Sequence, residues 1–220
     1  MNKLHPLLKK YESNRVIRGL IQLVPFGIGS AIDVVLTKTL ENIQEERAVA
    51  FFDELSKGDV VVDEKLLESE DFLHAYYATT KYALNSRRRE KIRMFARLLK
   101  SSLTEDEIKD IDEYEDYLKI LDELSYREIL ALKTLDEYSK TPKTEEQNDL
   151  QWTIQFWDEF ESRLARELNI PHEQVVNFMN RIARTGCYEM FTGGYFDYTG
   201  GQGKLTPTYQ ILKKFIEDEN

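Results

Sequence analysis

Four polar side chains near the carboxy-terminal end of the chain could bind another macromolecule. They recur at helical intervals and are Gln174, Asn177, Arg181 and Arg184. Amide and guanidinium groups can form paired hydrogen bonds with flat polar partners, such as the base edges in a DNA major groove. The apolar residues among them follow an i, i+3, i+4, i+7 pattern and are Val175, Phe178, Met179 and Ile182. One helix would therefore bury the apolar set and expose the polar one.

A basic group lies in a helix that the sequence predicts over residues 87–102. Its members are Arg87, Arg88, Arg89, Lys91 and Arg93, and residues 87–100 together carry a balance of +6. Such a patch can bind phosphate groups of nucleic acid or anionic lipid. The next segment, 105–116, has a balance of −7, so an antiparallel helix pair would let the two segments neutralise each other. Both interpretations stay open at the level of the sequence.

Residues that support catalysis or metal binding are scattered. The three histidines lie far apart, the single cysteine is Cys187, and paired acids such as Glu45-Glu46 belong to predicted solvated helix faces. A zinc site needs several ligands at close spacing. The glycines at 193–203 do not have phosphate-loop spacing and are typical of turns. We expect no metal, no cofactor, no enzymatic activity and no small-molecule substrate.

Composition limits the class of protein and its partners. Hydrophobic residues make up 41% and aromatic residues 11% of the 220 residues, which is typical of a globular protein. The formal net charge of −10 disfavours loose attraction to nucleic acid or lipid, and residues 121–220 carry −7 of it. One cysteine and a start without an apolar signal core indicate a reducing cytoplasm.

Apolar residues at intervals of three and four predict a mainly α fold with two domains. The first is a helical domain over residues 1–120, and the second, 121–220, contains helices that lead into a small β-hairpin. Helices are predicted at 3–12, 16–24, 28–55, 64–69, 70–84, 87–102, 105–123, 125–140, 150–168 and 172–185. Ser125 and Glu128 have the spacing of a capping box at the start of one helix.

An uncharged stretch over residues 19–32 belongs to a hydrophobic hairpin predicted at 16–38. Pro25 should interrupt the helix there, and Gly27 and Gly29 permit close packing. A membrane-spanning helix needs about twenty apolar residues, and the flanking charges make this stretch too short. It is either a buried core hairpin or a concealed segment that inserts into a membrane after a conformational change.

Residues 168–217 resemble a winged helix-turn-helix of the prokaryotic type, and the resemblance extends to about 145–218 with the preceding helix. It depends on Arg184-Thr185-Gly186 after a helix, two aromatic-rich strands around glycine turns, and Leu205-Thr206-Pro207 before a final helix. The resemblance implies that residues 172–185 occupy the recognition-helix position and that Lys204 lies in the wing. This fold contacts DNA in some proteins and serves dimerisation or protein docking in others.

The amino-terminal region, from the hydrophobic hairpin to the Phe51-Phe52-x-x-Leu55 pattern, distantly resembles helical regions of uncharacterised bacterial proteins linked to phage conflict. It carries no residue role. The sequence therefore predicts a bacterial or phage regulatory or adaptor protein that binds DNA, a protein partner or a second copy of itself through its winged helix. The alternative is a defence effector whose hydrophobic hairpin acts on membranes.

Overall fold

The fold was analysed in a computed structural model that describes residues 5–24, 34–57, 69–104, 111–192 and 200–217. Its helices are α1 (His5–Lys10), α2 (Arg15–Gln22), α3 (Val34–Leu55), α4 (Glu70–Asn85), α5 (Arg89–Thr104), α6 (Ile111–Glu123), α7 (Tyr126–Tyr138), α8 (Asp149–Leu168), α9 (His172–Ala183) and α10 (Pro207–Ile216). Two short strands, β1 (Tyr188–Met190) and β2 (Gly203–Leu205), form one antiparallel pair between α9 and α10. The prediction of a mainly α fold with one small β-hairpin is confirmed.

Side-chain caps explain where several helices begin. Ser125 accepts from the Glu128 amide while Glu128 accepts from the Ser125 amide, so the predicted capping box is present at α7. Asn148 and Gln151 form the same reciprocal arrangement at α8. Each such cap satisfies amide donors that have no partner inside the helix.

The structure differs from the predicted helix bounds at two basic residues. The helix predicted from residue 87 begins at Arg89, because Ser86 is extended (φ −74°, ψ 136°) and ends α4. Arg87 and Arg88 therefore lie in the connection between α4 and α5. Three predicted features fall outside the described residues: the break at Pro25, the acidic run 105–110, and all but the last residue of the helix predicted at 64–69.

The chain divides into two compact units. The first comprises residues 1–119 together with 215–220, and the second comprises residues 120–214. Within the first unit, Phe215 and Ile216 contact the preceding helices. Arg97 donates to the Ile216 carbonyl oxygen (2.8 Å), and the rings of Tyr117 and Phe215 meet edge to face at 5.8 Å. Phe215 and Ile216 are thus part of the core to which α5 belongs.

An aromatic core holds the first unit together, with α3 and α4 both packed against α5. Its large side chains are at most 2% exposed and are Phe51, Phe52, Tyr76, Phe95 and Tyr114. Burying each such ring contributes on the order of 2 kcal/mol or more. This core fixes the relative position of α3 and α5.

The second unit is built from α7, α8, α9, the β-hairpin and most of α10. Its core is formed by side chains that are at most 1% exposed: Leu132, Phe160, Leu164, Val175, Met179, Ile182, Tyr209 and Leu212. In the hairpin, Tyr188 pairs with Leu205 and Met190 pairs with Gly203. The element order is therefore helix, helix, helix, hairpin, helix.

Candidate partner-binding surface

A three-residue turn joins α8 to α9. Asn169 ends α8 in the left-handed conformation (φ 52°, ψ 48°), which asparagine adopts more readily than most residues. Ile170 is 2% exposed and anchors the turn in the core. Pro171 then starts α9, and its carbonyl oxygen accepts from the Gln174 amide at 2.8 Å. The turn therefore sets the orientation of α9 through its backbone as well as through packing.

Helix α9 buries one face and exposes the other. Val175, Met179 and Ile182 are fully buried, and Phe178 is half-buried at the edge of the core. The opposite side presents four exposed side chains, which we call the α9 stripe: Gln174, Asn177, Arg181 and Arg184. The structure thus places these four predicted site residues together on one exposed surface.

Arg181 is held by an acidic partner from α7. Its Nε lies 2.7 Å from Oε1 of Glu128, whose side chain is only 4% exposed. The guanidinium group also lies over the Phe178 ring, 5.7 Å from the ring centre. The other oxygen of Glu128 accepts from the Ser125 amide at 2.7 Å. One carboxylate therefore caps α7 and neutralises Arg181.

Lys204 on β2 is neutralised in a similar way. Its Nζ lies 2.8 Å from Asp149, the first residue of α8, and 3.8 Å from Glu189. The hydrogen bond from Lys204 to Asp149 raises the pKa of the lysine. Hydrogen bonds from Lys143 and Lys204 lower the pKa of the Asp149 carboxyl. Lys204 thus joins the hairpin to α8 and does not contribute an unopposed charge.

Glycines let the base of the hairpin pack closely. Gly201 (φ 91°) lies against Val176 of α9, and a Cβ on Gly201 would come within 2.8 Å of that valine side chain. The Tyr188 hydroxyl donates to the Gly201 carbonyl oxygen at 2.7 Å. A Cβ on Gly203 would be 2.2 Å from the Glu189 carbonyl oxygen. The hairpin base is therefore fixed beside α9, while residues 193–199 lie outside the described residues.

Arg184 is the stripe cation without a counter-ion. It is exposed, directly follows the last residue of α9, and has no acidic partner among the described residues. Glu173 is exposed on the same helix and carries the opposite charge. The stripe is consequently rich in hydrogen-bonding groups and close to electrically neutral.

Acids of α3 pair with two arginines of α5, one of which belongs to the predicted basic patch of residues 87–93. Arg89 pairs with Glu46 of α3 at 3.1 Å, and Arg97 pairs with Glu54 of α3 at 2.6 Å. The alternative that residues 105–116 neutralise this helix stays a prediction, because residues 105–110 lie outside the described residues. Helix α3, which packs directly against α5, supplies acids for two of its arginines.

The rest of the patch is divided between the surface and the core. Lys91 is only 9% exposed, and its ammonium group lies 5.6 Å from the centre of the Phe95 ring. Arg87 and Arg88 are exposed in the α4–α5 connection, and Arg93 is half-exposed. The five residues therefore do not form one continuous basic surface.

Several residues of α2, which belongs to the predicted hydrophobic hairpin, lie in the core. Ile17, Leu20 and Ile21 of α2 are at most 3% exposed, and the Tyr76 hydroxyl donates to the Leu20 carbonyl oxygen at 2.6 Å. Residues 25–33, with Gly27 and Gly29, lie outside the described residues. Within the described ranges, no helix combines the length and apolar composition that a bilayer crossing requires.

Two histidines each contact a carboxylate. His74 contacts Glu115 at 2.7 Å, and His172 contacts Glu161 at 2.7 Å. Cys187 is fully buried, which raises the pKa of its thiol to about 11. Among the described residues, no three histidine, cysteine, aspartate or glutamate side chains converge in a way that could hold a metal ion.

Comparison of the chain with protein-family models, curated proteins and solved structures finds no match. The functional interpretation therefore depends on the site itself. Sequence reasoning missed Glu128 and Asp149, the acids that hold two of its cations. Glu128 was visible only as the last residue of a capping box, and Asp149 only as one charge in a polar run.

Proposed function

We propose that this chain is a non-catalytic regulatory or adaptor protein, located in the cytoplasm, and that it binds a protein partner through the α9 stripe. The observation that carries the proposal is the near-neutral, hydrogen-bonding character of an exposed stripe on a helix whose other face is fixed in a core. Amide side chains both donate and accept, so they suit the mixed polar surface of another protein.

The hairpin beside the stripe supports a winged-helix-like docking module. Gly201 abuts Val176 of α9, so partner contacts could extend from the helix to the hairpin base. An unrelated protein and a second copy of this chain both belong to the class of partner that we propose. The proposed bacterial or phage setting follows from the resemblances of the sequence.

Electrostatics favours a protein over DNA as the partner. Affinity for a duplex depends on neutralising phosphates with lysine and arginine side chains. Arg181 and Lys204 are already paired with Glu128 and Asp149, so a duplex would have to compete with acids of the same unit. Only Arg184 of the five predicted contact residues offers a charge without a counter-ion among the described residues.

The test compares two charge reversals on the second unit. Arg184→Glu alters the stripe, whereas Arg166→Glu alters an exposed arginine on α8, 62% exposed, outside the stripe. Both variants and the unaltered chain are used as bait in host extract. We expect a defined set of proteins to be retained by the unaltered chain and by Arg166→Glu, and lost with Arg184→Glu.

A fluorescence-anisotropy titration against a random-sequence duplex completes the test. We expect negligible binding at physiological salt and no difference between the two variants. Salt-sensitive binding that Arg184→Glu abolishes, together with an unchanged set of captured proteins, would overturn protein docking in favour of DNA binding.

A further inference from the structure

The first unit contains an open groove between α3 and α5 that is independent of the α9 stripe. It encloses about 400 Å³, within the range of small-molecule sites. Its α3 wall carries the carboxylates of Glu45, Glu46 and Asp53, and its α5 wall carries the guanidinium groups of Arg89 and Arg93. The two walls therefore have opposite charge.

Most of these charges already have partners. Arg89 and Glu46 pair across the groove at 3.1 Å, but both are about two-thirds exposed, so the pair contributes little stability. Asp53 accepts from the Tyr11 hydroxyl at 2.6 Å and lies 2.7 Å from the Lys10 ammonium. The carboxylates of Glu46 and Asp53 are therefore already neutralised by charged side chains of the protein.

Glu45 and Arg93 have no ion pair shorter than 3.9 Å among the described residues. Glu45 is half-buried and has no ion-pair partner among the described residues. Arg93 is half-exposed, and its Nε is 3.9 Å from the nearer oxygen of Glu54, which lies 2.9 Å from Lys57. One acidic and one basic group therefore remain to face a ligand.

The positions of these two groups set the length of a ligand that could reach both. The Arg93 Nε lies 3.9 Å from Glu54, the residue that follows Asp53, so this guanidinium group is at the Asp53 end of the groove. Glu45 precedes Asp53 by eight residues, about 12 Å along a helix, and side-chain reach shortens the gap to roughly 10 Å.

The groove floor between these ends is apolar. Val49 is half-buried and Ala50 is 7% exposed, and both lie on α3 between Glu45 and Asp53. A methylene chain could lie over them, because burying each methylene group is favourable. The groove therefore combines an acidic end, an apolar middle and a basic end.

We propose that this groove binds a small zwitterion whose ammonium group pairs with Glu45 and whose carboxylate pairs with Arg93, with an aliphatic chain over Val49 and Ala50. The ligand class is that of extended ω-amino acids. The sequence analysis indicated no small molecule, because Glu45 and Arg93 meet only through the packing of α3 on α5.

The probe is ω-aminocaprylate, titrated into the full chain while the backbone amide signals of α3 and α5 are followed by NMR. Caprylate lacks the amine, octylamine lacks the acid, and glycine has both charges too close together. We expect saturable shifts around Val49 with ω-aminocaprylate and at least about tenfold weaker binding of the other three compounds, since each loses a charge-assisted contact.

Two variants and two controls test whether Glu45 and Arg93 bind the two charged ends of the ligand. Glu45→Gln and Arg93→Gln should each weaken ω-aminocaprylate about tenfold, whereas Glu90→Gln and Arg88→Gln, which alter exposed charges outside the groove lining, should not. Melting curves confirm that the variants fold. Equal affinity for caprylate or octylamine, unchanged affinity in both groove variants, or no shift at millimolar probe would overturn the proposal. None of these results bears on the α9 stripe.

Discussion

Replacing Arg181 should destabilise the second unit even though the side chain is half-exposed. Arg181→Met keeps much of the aliphatic stem but leaves Glu128, 4% exposed, without its ion-pair partner. Breaking a fully buried pair costs about 3–5 kcal/mol. Because Arg181 is 50% exposed and Glu128 keeps its bond from the Ser125 amide, we expect a loss of about 1–2 kcal/mol.

The assay is urea unfolding followed by tryptophan fluorescence. The chain has two tryptophans, Trp152 and Trp157, and both lie on α8, so the signal reports on the second unit. With a slope of roughly 2 kcal/mol per molar urea, the midpoint of Arg181→Met should fall by about 0.5–1 M.

The matched control for this prediction is Arg184→Met, which removes the neighbouring stripe cation. Arg184 has no acidic partner among the described residues, so its removal should change the free energy of unfolding by less than about 0.5 kcal/mol. Identical midpoints for both variants and the unaltered chain would refute the argument that Glu128 fixes Arg181. The stripe would then carry two unopposed cations, and the case against DNA would weaken.

Three further predictions concern the second unit. Gly203→Ala should destabilise it by about 1–3 kcal/mol because the new methyl group would overlap the Tyr188 ring and the paired strand. The control is Gly19→Ala on α2 of the first unit, where nothing lies within 4 Å of the new Cβ; circular dichroism should show unchanged or slightly raised stability. The lowered pKa of Asp149 stabilises the fold above the unfolded pKa of about 3.9, and this stabilisation is lost as pH falls through the folded pKa. The free energy of unfolding of Asp149→Asn should therefore fall less than that of the unaltered chain below about pH 4; parallel profiles of this free energy against pH would contradict the prediction. Iodoacetamide should modify Cys187 at pH 8 about a hundredfold more slowly than a free thiol, and fast labelling of the folded chain would show that the thiol is not buried.

Local sequence signals predicted much of the secondary structure. The reciprocal spacing of Ser125 and Glu128 identified the start of α7, and the spacing of Val175, Met179 and Ile182 identified the buried face of α9. These features involve residues within two helical turns, where backbone geometry alone determines which side chains are neighbours. The exposed stripe follows from the same geometry.

The partners in ion pairs between distant residues could not be predicted from the sequence. Lys204 and Asp149 are 55 positions apart, and Arg89 and Glu46 are 43 apart. A charge count gives the balance of a segment, but only tertiary packing decides which acid meets which base. The sequence therefore did not identify the acids of α3 as partners of α5, and the two walls of the α3–α5 groove were not recognised.

The central claim is that the α9 stripe contacts a protein, and site-specific photo-crosslinking in living cells tests it most directly. A photoreactive residue replaces Asn177 on the stripe, and a matched variant carries it at Gln155, an exposed amide on α8. We predict a discrete protein adduct from position 177 that position 155 does not give. Equal adducts from both positions, or a nuclease-sensitive adduct at position 177, would contradict the claim.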